Sequence, residues 1–301
     1  LMTKINTPKW FTNALSQKPI IKSIKIKGAK IFYNLWGQNE KPGLLFVHGG
    51  MAHADWWNFI APYFLKTHKV IAMHLGGMGD SDWRKNYSTE MWGLEIEMIC
   101  KKEKLKKPII IGHSLGGMCG VYAASIMKKN LYGLVIVDTA ILPPSDKPPK
   151  FDFKIRANKI YKNIKEIKSR FRLVPGQSDA LEYIMDYIAE KSIKKNKSGW
   201  TWKFDPNYMK IFNSESFLER QAIYRDKLKG LKCRVAILRG EKSVIFPGSS
   251  AKYMHELMDK KSPIINVPEA HHHIMVDQPM ALISALRSLI IDWDHSKPSK
   301  A

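Results

Sequence analysis

The segment Ile109-Ile-Ile-Gly-His-Ser-Leu-Gly-Gly117 runs an apolar stretch directly into a glycine-flanked serine. Serine is a weak nucleophile in water. On a tight strand-to-helix turn, with glycines two residues before and two after Ser114, its hydroxyl is pushed clear of the backbone, where a carbonyl can reach it. The same turn aims the Leu115 N–H and the amino end of the following helix at any oxyanion formed there. The implied chemistry is acyl transfer, which needs a base titrating near neutral pH. Three consecutive histidines, His271, His272 and His273, stand near the end of the chain. Adjacent side chains converge poorly on a metal, and no cysteine or acidic partners stand at ligand spacing, so a base among the three is expected and a metal is not. A second glycine turn closes Leu44-Leu-Phe-Val-His-Gly-Gly50. Its Gly50 N–H is the expected second oxyanion donor, with Met51 the neighbouring alternative, and His48 is read as a structural hydrogen-bonding residue.

Such groups need a rigid frame. Residues 21–27 and 30–36 alternate apolar and lysine positions around Gly28-Ala29, the pattern of a hairpin with one wet face. Continuous apolar runs follow at 44–47, 70–73, 108–111, 134–137, 235–238 and 263–267. Runs of this kind are strands buried on both faces, as a parallel sheet covered by helices requires. Segments 56–65, 89–103 and 117–128 are long enough for crossover helices. The alternation stops between Ala140 and Lys232, a stretch that opens on the proline-rich Leu142-Pro-Pro-Ser-Asp-Lys-Pro-Pro149. Helical periodicity follows, with Leu181, Ile184, Met185 and Ile188 on one face. The expected organisation is a core of residues 1–139 and 233–301 with a helical lid, 140–232, standing at the carboxyl edge of the sheet.

Composition narrows the classes. The 301 residues are 45% hydrophobic, enough for one large core with an appended layer. No run approaches the roughly 20 apolar residues of a membrane helix, and the first residues lack the apolar run of a signal peptide, so a cytoplasmic location is expected. Cys100, Cys119 and Cys233 are too few and too scattered for a disulfide framework. The net charge of +22 would attract polyanions, but it comes from 40 Lys against 9 Arg dispersed along the whole chain. Nucleic-acid sites cluster their cations and favour Arg, so no nucleic-acid partner is expected.

In its ordered motifs the chain resembles the α/β-hydrolase superfamily, in the capped serine-hydrolase branch that holds esterases, C–C bond hydrolases and cofactor-free haloperoxidases. Trp57 stands nine residues after His48, as in that family's His-Gly loop. The family's Asp-x-x-Gly-x-Gly-x-Ser turn is matched by His74-Leu-Gly-Gly-Met-Gly-Asp-Ser81, with histidine replacing the aspartate. Its closing Gly-His stands five residues before an acidic residue and two more before a proline; counting back from Asp277 and Pro279 selects His272, with His271 in place of the glycine and His273 as fallback. The resemblance implies an α/β-hydrolase fold: a mainly parallel eight-stranded sheet, helices on both faces and a helical cap inserted after strand 6. It also implies an acid three residues after the glycine that follows the seventh strand, where this chain has Ser243. Two substitutes remain. Asp138 ends the sixth strand and Glu241 follows Gly240; Asp138 is preferred, because the end of the neighbouring strand can reach the same histidine.

The function expected is a serine hydrolase cleaving a carboxylic ester or related carbonyl compound through an acyl-enzyme on Ser114. The alternatives are a C–C bond hydrolase and a non-catalytic binder that has lost its acid. A small molecule is the expected partner and no cofactor is expected. Trp56, Trp57, Trp200 and Trp202 are the candidate pocket residues. Residues 139–232 carry 21 Lys and Arg against 11 Asp and Glu, which permits an anionic substrate without singling out the lid.

Overall fold

Five of the six continuous apolar runs lie in strands and are buried throughout; the sixth, 263–267, forms an edge strand of which only Val267 is buried, because no further strand covers it. The computed structural model describes residues 6–37, 40–146, 159–214, 217–258 and 260–296. Lys147, Pro148 and Pro149 of the proline-rich segment, and the tail after Ser296, lie outside the described residues. After helix α1 (Lys9–Ser16), strands β1 (Ile20–Ile26) and β2 (Ala29–Trp36) form the expected hairpin, followed by β3 (Pro42–Val47), β4 (Lys69–Met73), helix α2 (Thr89–Lys102), β5 (Lys106–His113), α3 (Leu115–Met127) and β6 (Gly133–Val137). Between β6 and the next strand of the main sheet lie α4 (Ile164–Lys168), α5 (Glu182–Lys191), a small hairpin of β7 (Ile193–Asn196) and β8 (Gly199–Trp202), α6 (Ile211–Ser214) and α7 (Phe217–Lys229). The chain then completes the sheet with β9 (Arg234–Gly240), α8 (Gly248–Leu257) and β10 (Ile264–Val267), and ends on α9 (Ile274–Asp277) and α10 (Pro279–His295).

The eight-stranded sheet runs in the order β1-β2-β4-β3-β5-β6-β9-β10, antiparallel as far as β4 and parallel from β4 to β10. Its register aligns the carboxyl ends that carry the chemistry. Val47 pairs with Gly112, His113 with Val137, and Val137 with Leu238, so the residues that follow β3, β5, β6 and β9 emerge side by side. Ligands of open parallel sheets bind at this edge. Two hydrophobic layers pin the sheet. One joins Trp57, Phe59 and Phe64 to Leu282, Leu286 and Ile290 of α10; the other joins Trp92 and Ile96 of α2 to Cys119 and Tyr122 of α3 and Met254 of α8.

Three features depart from the sequence reading. The β3–β4 crossover is not a helix but two short 3-10 turns, Ala54–Trp57 and Ala61–Phe64, because Pro62 supplies no N–H and cannot sit inside a longer helix. The insertion after β6 is not purely helical: β7 and β8 pair Ile193 with Trp202 and Asn196 with Gly199. With four residues each and only Ile193 and Thr201 buried, these strands carry too little alternation to read. Helix α1 was not anticipated; its Phe11 packs against Tyr183 and Tyr187 of α5 at ring distances of 5.1 and 5.7 Å, tying the amino end to the insertion. No helix among the described residues is long and apolar enough to cross a membrane.

Trp57 is the largest fully buried side chain of the first layer, its ring 4.9 Å from that of Phe46. Replacing it by alanine is expected to cost about 3–5 kcal/mol of unfolding free energy, read from urea denaturation. A loss below 1 kcal/mol would show that this layer does not anchor the sheet.

Candidate active site

The turn from β5 into α3 is set by steric necessity. Ser114 has φ 53° and ψ −121°, a left-handed conformation that costs a residue with a side chain roughly 1–3 kcal/mol. It is held there by its N–H, which donates to Val137 O at 3.0 Å, and by the Thr139 hydroxyl, which donates to Ser114 O at 2.8 Å. The flanking glycines allow the chain to pass itself: a Cβ at Gly112 would lie 2.3 Å from Gly116 O, and one at Gly116 would lie 2.5 Å from Val47 O. Neither the Gly50 nor the Leu115 N–H donates to a backbone carbonyl among the described residues, so both predicted oxyanion donors are free. The Ser114 hydroxyl makes no hydrogen bond there either, and it faces the same cavity as the His272 ring.

Behind His272 stands Asp138, fully buried, with φ 47°. His272 Nδ1–H donates to Asp138 Oδ2 at 2.8 Å, leaving Nε2 for the cavity. The Ser243 hydroxyl donates to the same oxygen at 2.5 Å, and the Gly240 N–H donates to Oδ1 at 2.8 Å. Serine at the position of the usual acid therefore serves the acid from the adjacent strand. Glu241, the other candidate, is exposed and accepts the Glu269 N–H at 2.9 Å, away from the histidine.

The histidine triplet is sorted by partner. His271 turns to Asp277, whose Oδ2 accepts from both its N–H (2.7 Å) and its Nδ1 (3.0 Å), and it does not line the cavity. His273 lines the cavity, and its ring hydrogen-bonds the Gln177 side chain, whose Oε1 accepts from its N–H and its Nδ1, each at 3.0 Å. The His113 ring lies 4.7 Å from that of His272 and its Nε2–H donates to His272 O at 2.9 Å, fixing the loop that carries the candidate base. Burial, reinforced by the neighbouring His272, holds both His113 and His273 well below the ordinary histidine pKa. Among the described residues, no three His, Cys, Asp or Glu side chains are grouped so as to hold a metal ion.

Ser114 opens into a cavity of about 520 Å³ whose walls include Trp56, Met118, Phe212 and Tyr224. Of the four tryptophans proposed for the pocket, Trp56 lines this cavity and Trp202 lines an adjoining one of about 510 Å³. Trp57 and Trp200 line neither. Trp57 is fully buried in the core against Phe46, and Trp200 is engaged in the β7–β8 hairpin with Lys195 over its ring at 5.7 Å. Tyr208 is one of the insertion's aromatic residues from which a pocket wall could be drawn, but the sequence does not signal its place over Gly50. It is 2% exposed, lines the Ser114 cavity, and its hydroxyl would lie 2.9 Å from a Cβ placed on Gly50. That hydroxyl has no hydrogen-bond partner among the described residues, and burial pushes its pKa up, so it remains a donor at every working pH.

A family model described as alpha/beta hydrolase fold matches residues 42–278. An esterase of Mycobacterium tuberculosis is 20% identical over 90% of this chain and 90% of its own. A pimeloyl-[acyl-carrier protein] methyl ester esterase of Wigglesworthia glossinidia brevipalpis is 23% identical over 82% of this chain and 93% of its own. Among solved structures, E-2-(acetamidomethylene)succinate hydrolase superposes with a TM-score of 0.74 at 17% identity, covering 90% of this chain and 99% of that one.

Two further buried histidines brace the loops around the cavity. His48 Nδ1–H donates to Gly49 O at 2.7 Å and its Nε2 accepts the Leu75 N–H at 3.0 Å, the structural role expected of it. His74, which replaces the aspartate of the resembled turn, accepts the Asp80 N–H at 3.3 Å and stacks on His53. Burial lowers the pKa of His48 to about 3 and that of His74 to about 4 from an ordinary 6.5. The unfolded chain therefore binds more protons than the folded one below pH 6.5, and stability present at neutral pH is lost as pH falls toward 4. His74→Asn is expected to flatten the dependence of unfolding free energy on pH by one proton, roughly 1.4 kcal/mol per pH unit across that window. Urea titrations at stepped pH check this; an unchanged slope would mean that His74 is not neutral in the folded protein.

Proposed function

The chain belongs to the alpha/beta hydrolase fold family, and we propose that it is a serine hydrolase that cleaves a carboxylic ester or related carbonyl substrate through an acyl-enzyme on Ser114. The observation that carries this reading is the buried Asp138–His272 hydrogen bond of 2.8 Å, which turns the free face of the imidazole into the cavity that holds the Ser114 hydroxyl. Residues 1–139 and 233–301 form the catalytic core, and 140–232 act as its cap.

His272 Nε2 takes the Ser114 proton as Oγ attacks the carbonyl carbon. The Gly50 and Leu115 N–H groups hold the oxyanion, and the Tyr208 hydroxyl adds a third donor from the cap. Asp138 keeps the proton of His272 on Nδ1 and stabilises the imidazolium. Because His113 and His273 resist protonation, the proton stays on His272, which then delivers it to the departing alkoxide. Water, deprotonated by the same ring, attacks the acyl carbon; the tetrahedral adduct collapses, releasing the acid and restoring Ser114. The reading as a non-catalytic binder drew on the serine at position 243; Asp138 in contact with His272 removes that ground.

A fluorophosphonate probe is expected to label the wild type and not Ser114→Ala, and turnover of short p-nitrophenyl esters should vanish in that variant with its circular dichroism unchanged. Undiminished activity in Ser114→Ala would reject the proposal. Asp138→Asn should lower kcat by about 10³–10⁴-fold while Glu241→Gln stays within about twofold of wild type; the reverse order would move the acid to Glu241. Tyr208→Phe should lower kcat by about ten- to a hundredfold with KM little changed, the signature of a contact made in the transition state. A rise in KM alone would make Tyr208 a wall of the pocket.

A further inference from the structure

The space around Ser114 does not end at the nucleophile. Gly50, Met51, Trp56, Val174 and His273 line both the 520 Å³ cavity and the adjoining one of about 510 Å³, so the two meet beside the reacting groups. Their chemistry differs. The first is walled mainly by apolar and aromatic side chains such as Met118, Ile211 and Phe212. The second carries Lys159, Arg170 and Arg172 beside the rings of Phe171 and Trp202, and no aspartate or glutamate among the described residues lines it.

Some cations of the insertion are neutralised: Lys168 lies between Asp186 at 2.8 Å and Glu190 at 3.6 Å, and Lys203 pairs with Asp80 at 2.8 Å. Others, such as Lys194 and Lys195, lie over the rings of Trp83 and Trp200 at 4.6 and 5.7 Å. What sets the second cavity apart is that two arginines stand beside a lysine there. Among the described residues, the Arg170 guanidinium has no acceptor. That of Arg172 donates only to the carbonyls of Ser169 at 2.9 Å and Phe171 at 2.6 Å, and the Lys159 ammonium lies over the Tyr161 ring at 5.5 Å. Two of the chain's nine arginines are spent here, and their planar forks suit carboxylate and phosphate oxygens. A cleft of one sign with low-dielectric walls focuses its field on a ligand.

We infer that the substrate is an ester with an apolar group on one side of the scissile bond and a carboxylate or phosphate on the other, the anion lying among Lys159, Arg170 and Arg172. This rests on the hydrolase reading for the position of the scissile bond, but it is a claim about binding and can be tested without turnover. Calorimetry on Ser114→Ala protein would compare two matched pairs: a 4-acyloxybenzoate with its methyl ester, charged on the alcohol side, and 4-nitrophenyl hemiglutarate with 4-nitrophenyl pentanoate, charged on the acyl side. The charged member of at least one pair should bind about tenfold or more tightly at low ionic strength. That ratio should shrink with added salt and fall toward one in the further variant Lys159→Gln/Arg170→Gln/Arg172→Gln. The salt series on the unaltered rim stands even if the variant misfolds. Equal or weaker binding of the charged ester in both pairs, or a preference that survives the triple substitution, would overturn the inference. Wild-type turnover of the neutral esters judges the hydrolase reading separately.

Discussion

A carboxyl group with no solvent contact organises the carboxyl edge of the sheet. Asp138 would be costly to bury unsatisfied, and its two oxygens accept from three separate stretches of chain: the Gly240 N–H at the end of β9, the Ser243 hydroxyl in the next turn, and His272 after β10. Each bond fixes something besides the carboxyl group. The first two lock the β9 turn to β6. The third brings in a loop whose His272 carbonyl is in turn held by His113, the residue before Ser114. The circuit β5–β6–β9–loop is thereby closed by hydrogen bonds that are all buried, and displacing any member would leave another without its partner. The positive φ angles of Ser114 and Asp138, 53° and 47°, are sustained by this closure and by the apolar layers on either face of the sheet.

What could be read from the sequence followed how local the cause was. Strands buried on both faces announce themselves as continuous apolar runs, and the Ser114 turn announces itself because glycine is the residue type its steric crowding permits. Choosing His272 needed more than residue type, since three identical side chains stand in a row; a family spacing pointed to it, and of the three it is the one hydrogen-bonded to Asp138. Ser243 was legible as a missing acid but not as a donor to one, because that role depends on the β6–β9 register. Trp56 and Trp57 are adjacent in one tight turn, and which of them faces the cavity is decided by tertiary packing. Tyr208 was legible as one of the insertion's aromatics but not as a donor, for the same reason: its ring is buried like any core aromatic, and what distinguishes it is a hydroxyl left over the Gly50 backbone.

The buried imidazoles show how a site crowded with histidines can keep one proton in one place. The His113 ring lies 4.7 Å from that of His272 and 5.6 Å from that of His273, tilted against both, close enough that two charged members would repel strongly in a dry environment. Burial, reinforced by the neighbouring His272, holds His113 and His273 well below the ordinary histidine pKa. His272 differs in facing the Asp138 carboxyl group, while the other two meet an amide side chain or a backbone carbonyl. In the proposed mechanism these two neighbours would therefore not compete with His272 for the proton.

The insertion is fastened to the core on one flank by polar contacts that cross the boundary. Asn58 donates to the Tyr187 hydroxyl at 2.9 Å, His53 Nε2–H donates to Ser192 Oγ at 2.9 Å, and the Tyr87 hydroxyl donates to Asp205 at 2.7 Å. Residues 159–172, which bring Lys159, Arg170 and Arg172 to the second cavity, lie outside those ties in the sequence. The groups proposed to break the bond thus sit on strand ends locked by one circuit of hydrogen bonds, whereas the cations that would choose the substrate belong to a segment that circuit does not include. A change of side chain at 159, 170 or 172 can alter the charge met by a ligand while the Asp138–His272 geometry stays as it is. On the proposed reading, specificity is separable from chemistry, and the boundary between them runs through the five residues that line both cavities.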